Sequence, residues 1–152
     1  MSEHRATINW KRESEGFDYS EYNRSHTWKF ENGFELPASA AVQFLGDVDR
    51  LDPEEAFVAA ISSCHMLTFL AICARKKITV NSYFDRAVGY MEKNEQGNLA
   101  ITRVRLCPEI TFPGTTPGTD RLRHLHHLSH QECFIANSVN TEIQVTDRGY
   151  CS

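Results

Sequence analysis

Five cysteines are the residues of this chain best suited to chemistry, since a thiolate can attack electrophiles, bind metals and be oxidised reversibly. They are Cys64, Cys73, Cys107, Cys133 and Cys151. Their number is odd, and they have neither the short paired spacing of a zinc ribbon nor the density of a disulfide scaffold. We therefore expect any cysteine that matters for function to be reactive rather than structural.

Cys64 and Cys133 are set apart by the elements that carry them. Cys64 is predicted to lie in the middle of a long apolar helix, and Cys133 near the end of a second helix. Each cysteine alone is most simply interpreted as a packing residue, as are Cys73 and Cys107, whereas Cys151 is expected to be exposed. Because the two helices are the central ones, their facing sides could bring both sulfurs within disulfide reach.

A histidine cluster on the second predicted helix is the competing candidate site. It contains His124, His126, His127 and His130. The spacings of four and three from His126 to His130 to Cys133 place these side chains on one helix face, where they could bind zinc or another transition metal. A zinc site usually needs a further ligand, so a partly exposed polar face is the expected role, with a metal-binding or non-catalytic redox-sensing protein as the alternative function.

The first helix has a clear predicted start and end. Residues 52–55 supply a capping Asp, a Pro at the first helical position and a Glu three residues beyond the cap. The helix should end near residues 76–77, where basic side chains suit the carbonyl end of the helix dipole. Residues 56–74 are apolar or small nearly all round but are interrupted by polar side chains, which predicts a buried helix rather than a membrane span.

The remaining pattern is one of strands kept apart from helices. Strands are predicted at residues 6–11, 25–30 and 34–37, with a hairpin turn at residues 31–33. Two longer strands, 83–93 and 99–112, form a second hairpin. Thr119 is predicted to cap the second helix, which should stop around Asn137 before a last strand at 139–145. This order predicts an α+β fold in which an antiparallel sheet packs on two central helices.

Length and charge restrict the choice of function. The 152 residues are predicted to form a single domain, 1–152, and 41% hydrophobic with 24% charged residues is typical of a globular protein. The net charge is -4 and there is no run of Lys or Arg, which argues against a nucleic-acid partner. The first five residues lack the apolar core and cleavage site of a secretory signal, so we expect a cytoplasmic protein with no membrane partner.

Two segments of the chain resemble known sequence motifs. Residues 52–65, DPEEAFVAAISSCH, resemble the first-cysteine helix of the OsmC/Ohr family of thiol peroxidases, and residues 132–140, ECFIANSVN, resemble its second-cysteine segment. The likeness extends over nearly the whole chain in the same order, including Arg24 before the strand that contains Trp28. The resemblance implies an OsmC-like α+β fold and an intertwined homodimer.

The resemblance also implies roles for individual residues. Cys64 would attack the peroxide and become a sulfenic acid, which Cys133 would resolve as a disulfide. Arg24, with Arg12 as a weaker substitute, would hold Cys64 as a thiolate and orient the peroxide, while Glu54 would fix the guanidinium. No metal or organic cofactor is expected for this chemistry.

The spacing of Glu54 and Cys64 adds a constraint. Ten residues of one helix separate them by about 15 Å, so a single arginine can hardly contact both. Either the helix breaks after its first turn, or Arg24 and Glu54 of one chain serve Cys64 of a partner at a two-fold interface. We favour the second arrangement.

The expected activity is therefore the reduction of organic hydroperoxides by a cytoplasmic homodimer that uses a dithiol reductant. A dihydrolipoyl protein fits the resemblance as the reductant. The chain differs from many relatives at Phe134, where they have Pro, and carries a titratable His65 beside Cys64, both of which bear on the substrate rather than on the reaction type.

An apolar pocket would favour fatty or aryl hydroperoxides. It is expected to be lined by residues such as Phe57, Met66, Leu67 and Phe69.

Overall fold

A computed structural model describes residues 1–146, which form two α-helices and eight β-strands. The chain divides into two compact units, Met1–Ala56 and Phe57–Ser152. Strands and helices are segregated along the chain, so the predicted α+β class is confirmed. Cys151 lies outside the described residues.

The first unit is built on a three-stranded antiparallel meander. Its strands are β1 (Ala6–Asn9), β2 (His26–Phe30) and β3 (Glu35–Ala38), each close to its predicted range. The hairpin turn lies where it was predicted. Two features stabilise it, since Gly33 has a φ of +82° and the Asn32 side chain accepts the N–H of Phe34 at 3.0 Å.

The first helix, α1 (Pro53–Arg75), is continuous over 23 residues. It begins as predicted, with Asp52 Oδ1 accepting the N–H of Glu55 at 2.7 Å. The helix does not break after its first turn. Of the two arrangements considered for Glu54 and Cys64, the one that requires a broken helix is therefore excluded.

The surface of α1 is covered less completely than its composition predicts. Its apolar window has a mean hydropathy of 1.9 and would suffice by length and composition to cross a bilayer, yet only 28% of that window is buried within the chain. The buried stripe has the three- and four-residue spacing of a core-facing helix side. It consists of Ile61, His65, Phe69, Ile72 and Cys73.

The second helix, α2 (Thr119–Glu132), starts one residue earlier than predicted and ends earlier than predicted. Gly118 rather than Thr119 occupies the N-cap position, and the helix stops before Cys133 instead of continuing to Asn137. The physical reason is the Asn137 side chain, whose Nδ2 donates to the carbonyls of Gln131 at 2.9 Å and Cys133 at 3.0 Å. These bonds satisfy carbonyls that a longer helix would have bonded itself.

The two long strands predicted in the second unit are each split in two. The strands are β4 (Ser82–Asp85), β5 (Val88–Lys93), β6 (Leu99–Leu106), β7 (Pro108–Thr111) and β8 (Glu142–Val145). Strands β4 and β7 form one antiparallel pair, whereas β5, β6 and β8 form a separate sheet in which β8 runs parallel to β6. At the break, Asp85 accepts the N–H of Cys107 at 2.6 Å and the hydroxyl of Ser62, and so replaces a ladder bond next to Pro108.

The core of the second unit consists of two clusters. One is formed by Phe69, Ile72, Cys73 and Leu125, and the other by Ile61, Val104 and Leu106. Both clusters take residues from α1, so this helix is the element on which the strands and α2 are assembled.

Replacing Phe69 by alanine tests that assignment. Phe69 is 0% exposed, so Phe69→Ala should lower the free energy of unfolding by about 3–5 kcal/mol through lost burial and a residual cavity. Phe84→Ala is the matched control, because Phe84 is 51% exposed and should contribute much less. Equal losses for the two variants in urea unfolding would contradict the assignment of α1 as the core helix.

Candidate active site

The structure brings the sulfur atoms of Cys64 and Cys133 together. Cys64 lies on α1, Cys133 is the C-cap residue of α2, and their Sγ atoms are 2.9 Å apart. In the described part of the chain Cys64, Cys73 and Cys133 carry free thiols. Two thiols at this separation need only a small displacement to form a disulfide bond of about 2.05 Å.

The two sulfurs differ in access and in protonation. Cys133 is 0% exposed and its S–H donates to Cys64, which is only partly buried. Burial, followed by that hydrogen bond, raises the pKa of Cys133 to about 11. Cys64 is therefore the sulfur that a reagent can reach, and Cys133 is held as a neutral thiol behind it.

The backbone after α2 supports Cys133 from its other side. The N–H of Ala136 donates to Cys133 Sγ at 3.4 Å, in the short 3₁₀ turn Ala136–Ser138 that follows the helix. This contact favours the thiolate of Cys133 and so works against the effect of burial. Cys133 is thus buried but has a backbone donor for the charge that develops when its sulfur loses its proton.

A pair of histidines lies beside the dithiol. His65, the residue after Cys64, is 1% exposed, and its Nε2 lies 3.0 Å from Nδ1 of His126 on α2, so one of these nitrogens carries the shared proton. Burial lowers the pKa of His65 to about 3, with smaller contributions from His126 and His130. His65 is therefore a neutral hydrogen-bonding group at physiological pH.

The metal-binding alternative is not supported by the side-chain arrangement. Within residues 1–146, no three His, Cys, Asp or Glu side chains are grouped so as to hold a metal ion. His126 contacts His65, and Cys133 contacts Cys64, so both residues have partners on α1.

Arg24 belongs to the first unit, where aromatic side chains surround it. Its guanidinium carbon lies 3.9 Å from the ring centre of Tyr22 and 4.9 Å from that of Tyr19. Nη1 donates to the carbonyl of Tyr22 at 2.5 Å, and Nη2 donates to the carbonyl of Tyr19. The proposed substitute Arg12 is exposed and donates to the carbonyl of Glu15.

Glu54 lies in the first turn of α1, and its Oε2 atom is buried without a hydrogen-bond partner. Within the described residues, Arg24 donates to main-chain carbonyls and forms no ion pair with Glu54. Burying a carboxylate oxygen costs free energy of desolvation, which no hydrogen bond offsets here. Glu54 is therefore suited to accept a hydrogen bond from another molecule.

An apolar cavity of about 470 Å³ lies in the first unit beside Arg24. The side chains that line it include Ile8, Trp10, Phe17, Tyr22, Arg24 and His26. The predicted pocket residues lie elsewhere, since Phe69 is in the core and Leu67 is 61% exposed. Sequence reasoning missed this cavity, although several aromatic residues in the otherwise polar segment between β1 and β2 were a signal for it.

The fold and the dithiol together define a class of small α+β proteins with a cysteine pair between two helices. The chain belongs to the OsmC family, because the family model described as OsmC-like protein matches residues 46–147. The comparison with curated proteins finds no significant match.

Solved structures agree with this assignment. An OsmC-like protein of unknown function from Vibrio cholerae is 48% identical, with a TM-score of 0.91 over 96% of this chain and 99% of that chain. An organic hydroperoxide resistance protein from Elizabethkingia anophelis is 23% identical, with a TM-score of 0.74 over 96% and 95% of the two chains. The corresponding protein from Bacillus subtilis is 13% identical, with a TM-score of 0.68 over 95% and 96%.

The buried His65 should make the fold sensitive to acid. Its pKa is about 3 in the folded state against 6.5 ordinarily, so the unfolded chain binds more protons between these values. The free energy of unfolding should therefore rise as the pH increases through this window. The contribution of His65 to stability should be lost as the pH falls from about 6.5 towards 3. Urea unfolding at a series of pH values measures this slope.

The variant His65→Gln provides the control for that measurement. Its side-chain amide can occupy the position of Nε2 but does not titrate, so the acid slope should become shallower. His127→Gln, at an exposed position of α2, should leave the slope as it is. An unchanged slope in His65→Gln would show that other groups cause the acid sensitivity.

Proposed function

We propose that this protein is a cysteine-based peroxidase that reduces organic hydroperoxides, with Cys64 as the attacking and Cys133 as the resolving cysteine. The observation that carries the proposal is the 2.9 Å contact between an accessible sulfur and a buried one. Organic hydroperoxide resistance proteins are among the structures that share this fold, which supports a peroxide as the substrate.

The proposed reaction has two steps in this site. The Cys64 thiolate attacks the distal oxygen of the hydroperoxide, so that an S–O bond forms, the O–O bond breaks and the alkoxide leaves as an alcohol after taking up a proton. Cys133 then attacks the sulfur of the sulfenic acid, forming the disulfide, and its proton leaves with the hydroxide as water. An external dithiol, such as a dihydrolipoyl group, restores both thiols by exchange.

The burial of the two cysteines supports their separate roles. A peroxide must reach the first sulfur from solution, which Cys64 allows and Cys133 does not. The second sulfur needs only to reach the first, and its raised pKa keeps Cys133 protonated and unreactive towards other electrophiles until the sulfenic acid lies beside it.

The cationic part of the site is proposed to come from a partner chain. Helix α1 is unbroken, so Glu54 and Cys64 of one chain are about 15 Å apart along it. In the proposed cytoplasmic homodimer, Arg24 and Glu54 of one chain face Cys64 of the other, and the unpartnered Glu54 oxygen is available to accept a hydrogen bond from the guanidinium. The apolar cavity beside Arg24 would then favour a hydroperoxide with an apolar body.

The first test is consumption of cumene hydroperoxide with a dithiol reductant. Cys64→Ser should abolish turnover, because no sulfur remains to attack the peroxide. Without the dithiol, which would itself reduce an accessible sulfenic acid, Cys133→Ser should consume one equivalent of hydroperoxide, accumulate a Cys64 sulfenic acid that dimedone traps, and form no Cys64–Cys133 disulfide. The control Cys73→Ala should remain active, since Cys73 packs in the core.

Two results would contradict the proposal. Full turnover by Cys64→Ser would exclude Cys64 as the attacking residue. A wild-type protein that forms the disulfide once but does not turn over with any dithiol would be a redox sensor rather than an enzyme.

The shared site is tested by combining two inactive variants. Arg24→Gln and Cys64→Ser should each be inactive as homodimers. When the two are co-expressed and the mixed dimer is purified by two affinity tags, one complete site should form and about half of the wild-type activity per dimer should return. A mixed dimer as inactive as its parents would show that Arg24 acts on Cys64 of its own chain or not at all.

A further inference from the structure

We propose that His65 and His126 are positioning residues for the dithiol, holding the end of α2 on α1 so that Cys133 stays within bonding reach of Cys64. This inference rests on the proposed function in taking the dithiol as the redox centre. The proposal concerns the exchange between dithiol and disulfide and gives neither histidine a contact with the peroxide.

The geometry is that of two attachment points on one side of a helix. His126 and Cys133 are seven residues apart, close to two full turns, so they project from the same face of α2, about 10 Å apart along its axis. Their partners on α1, His65 and Cys64, are adjacent in sequence. A helix held at one point can pivot about it, whereas a second contact two turns away fixes the direction of its axis.

The histidine contact is specific rather than merely apolar. The two rings are nearly parallel, at 11°, and share a 3.0 Å hydrogen bond in a partly buried position. His126 also stacks on Phe69, with ring centres 4.6 Å apart. Because Phe69 follows His65 by one helical turn, His126 is held by two side chains of the same face of α1.

An exposed ion pair between the two helices is a weaker link. Arg75 and Glu132 form an ion pair at 2.6 Å, but their side chains are 63% and 47% exposed. Exposed ion pairs contribute little and are screened by salt. The histidine pair, in which His65 is buried, is therefore the better candidate for fixing the orientation of α2 beside the dithiol.

The dithiol is sensitive to that orientation because of where Cys133 lies. It occupies the C-cap of α2, with an extended backbone, so its sulfur moves with the last turn of the helix. A disulfide tolerates only a narrow range of distances and torsions. If the last turn is free to tilt, the effective concentration of one thiol at the other falls and the disulfide becomes less favourable.

The test is the thiol–disulfide equilibrium of the full chain in buffers of reduced and oxidised dithiothreitol. In this exchange the two cysteines lose two electrons and two protons, which the oxidised reagent takes up. Alkylation with N-ethylmaleimide followed by mass spectrometry of the peptides that contain Cys64 and Cys133 gives the disulfide fraction. His126→Leu should lower the equilibrium constant for the disulfide by about fivefold or more, the effect of one lost hydrogen bond.

Two further variants separate positioning from general stability. His126→Asn can place a hydrogen-bonding atom where Nδ1 lies, so it should keep the equilibrium within about twofold of the wild type. The double variant His65→Leu with His126→Leu removes both polar partners, which should restore thermal stability relative to His126→Leu but not the equilibrium. The double variant also carries the test if His126→Leu alone fails to fold.

Either of two results would overturn the inference. One is an equilibrium for His126→Leu that matches the wild type, and the other is a double variant that recovers the equilibrium together with its stability, because packing alone would then position the dithiol. No peroxide is used in this measurement. A failure of the peroxidase proposal, seen as turnover in Cys64→Ser, is therefore distinguishable from a failure of this one.

Discussion

The contact between Cys64 and Cys133 depends on where one helix ends. Helix α2 stops at Glu132 because Asn137 takes over the hydrogen bonds of the final carbonyls, and Cys133 thereby leaves the helix with an extended backbone. Its sulfur turns inward, reaches Cys64 at 2.9 Å and is fully buried.

Buried polar groups near this contact are matched to one another across long sequence separations. His65 meets His126, and Asp85 joins the hydroxyl of Ser62 to the N–H of Cys107. Leaving a buried polar group without a hydrogen bond is costly. Each of these pairs therefore favours the relative placement of the elements in which its bond forms over slightly shifted placements in which it does not. Apolar packing brings α1, α2 and the strands together, and these bonds select the register in which the sulfurs meet.

The difference between local and distant interactions explains what the sequence could predict. The start of α1, the turn at Gly33 and the positions of most strands follow from capping residues and periodicity within a few positions. The split of the long strands could not be predicted this way, because it depends on Asp85 accepting the N–H of Cys107, which is 22 residues further along the chain. The early end of α2 depends on a local contact instead, since the Asn137 side chain bonds carbonyls four and six residues before it, and apolar periodicity does not reveal such a side-chain bond. Likewise, periodicity placed His126 on a face of α2 but could not show that its partner is His65.

A single chain leaves parts of the proposed site without partners. Glu54 has a buried oxygen without a donor, the donors of Arg24 go to main-chain carbonyls, and much of the apolar surface of α1 is uncovered. The unpartnered Glu54 oxygen and the uncovered apolar surface are free-energy costs that a second copy of the chain would reduce, by covering α1 and by offering a donor to Glu54. The geometry of α1 leads to the same expectation as these free-energy costs. Because the helix is unbroken, one guanidinium cannot span the distance from Glu54 to Cys64 within a chain. The same helix that holds the dithiol is thus the physical reason to expect its activating charge from a partner.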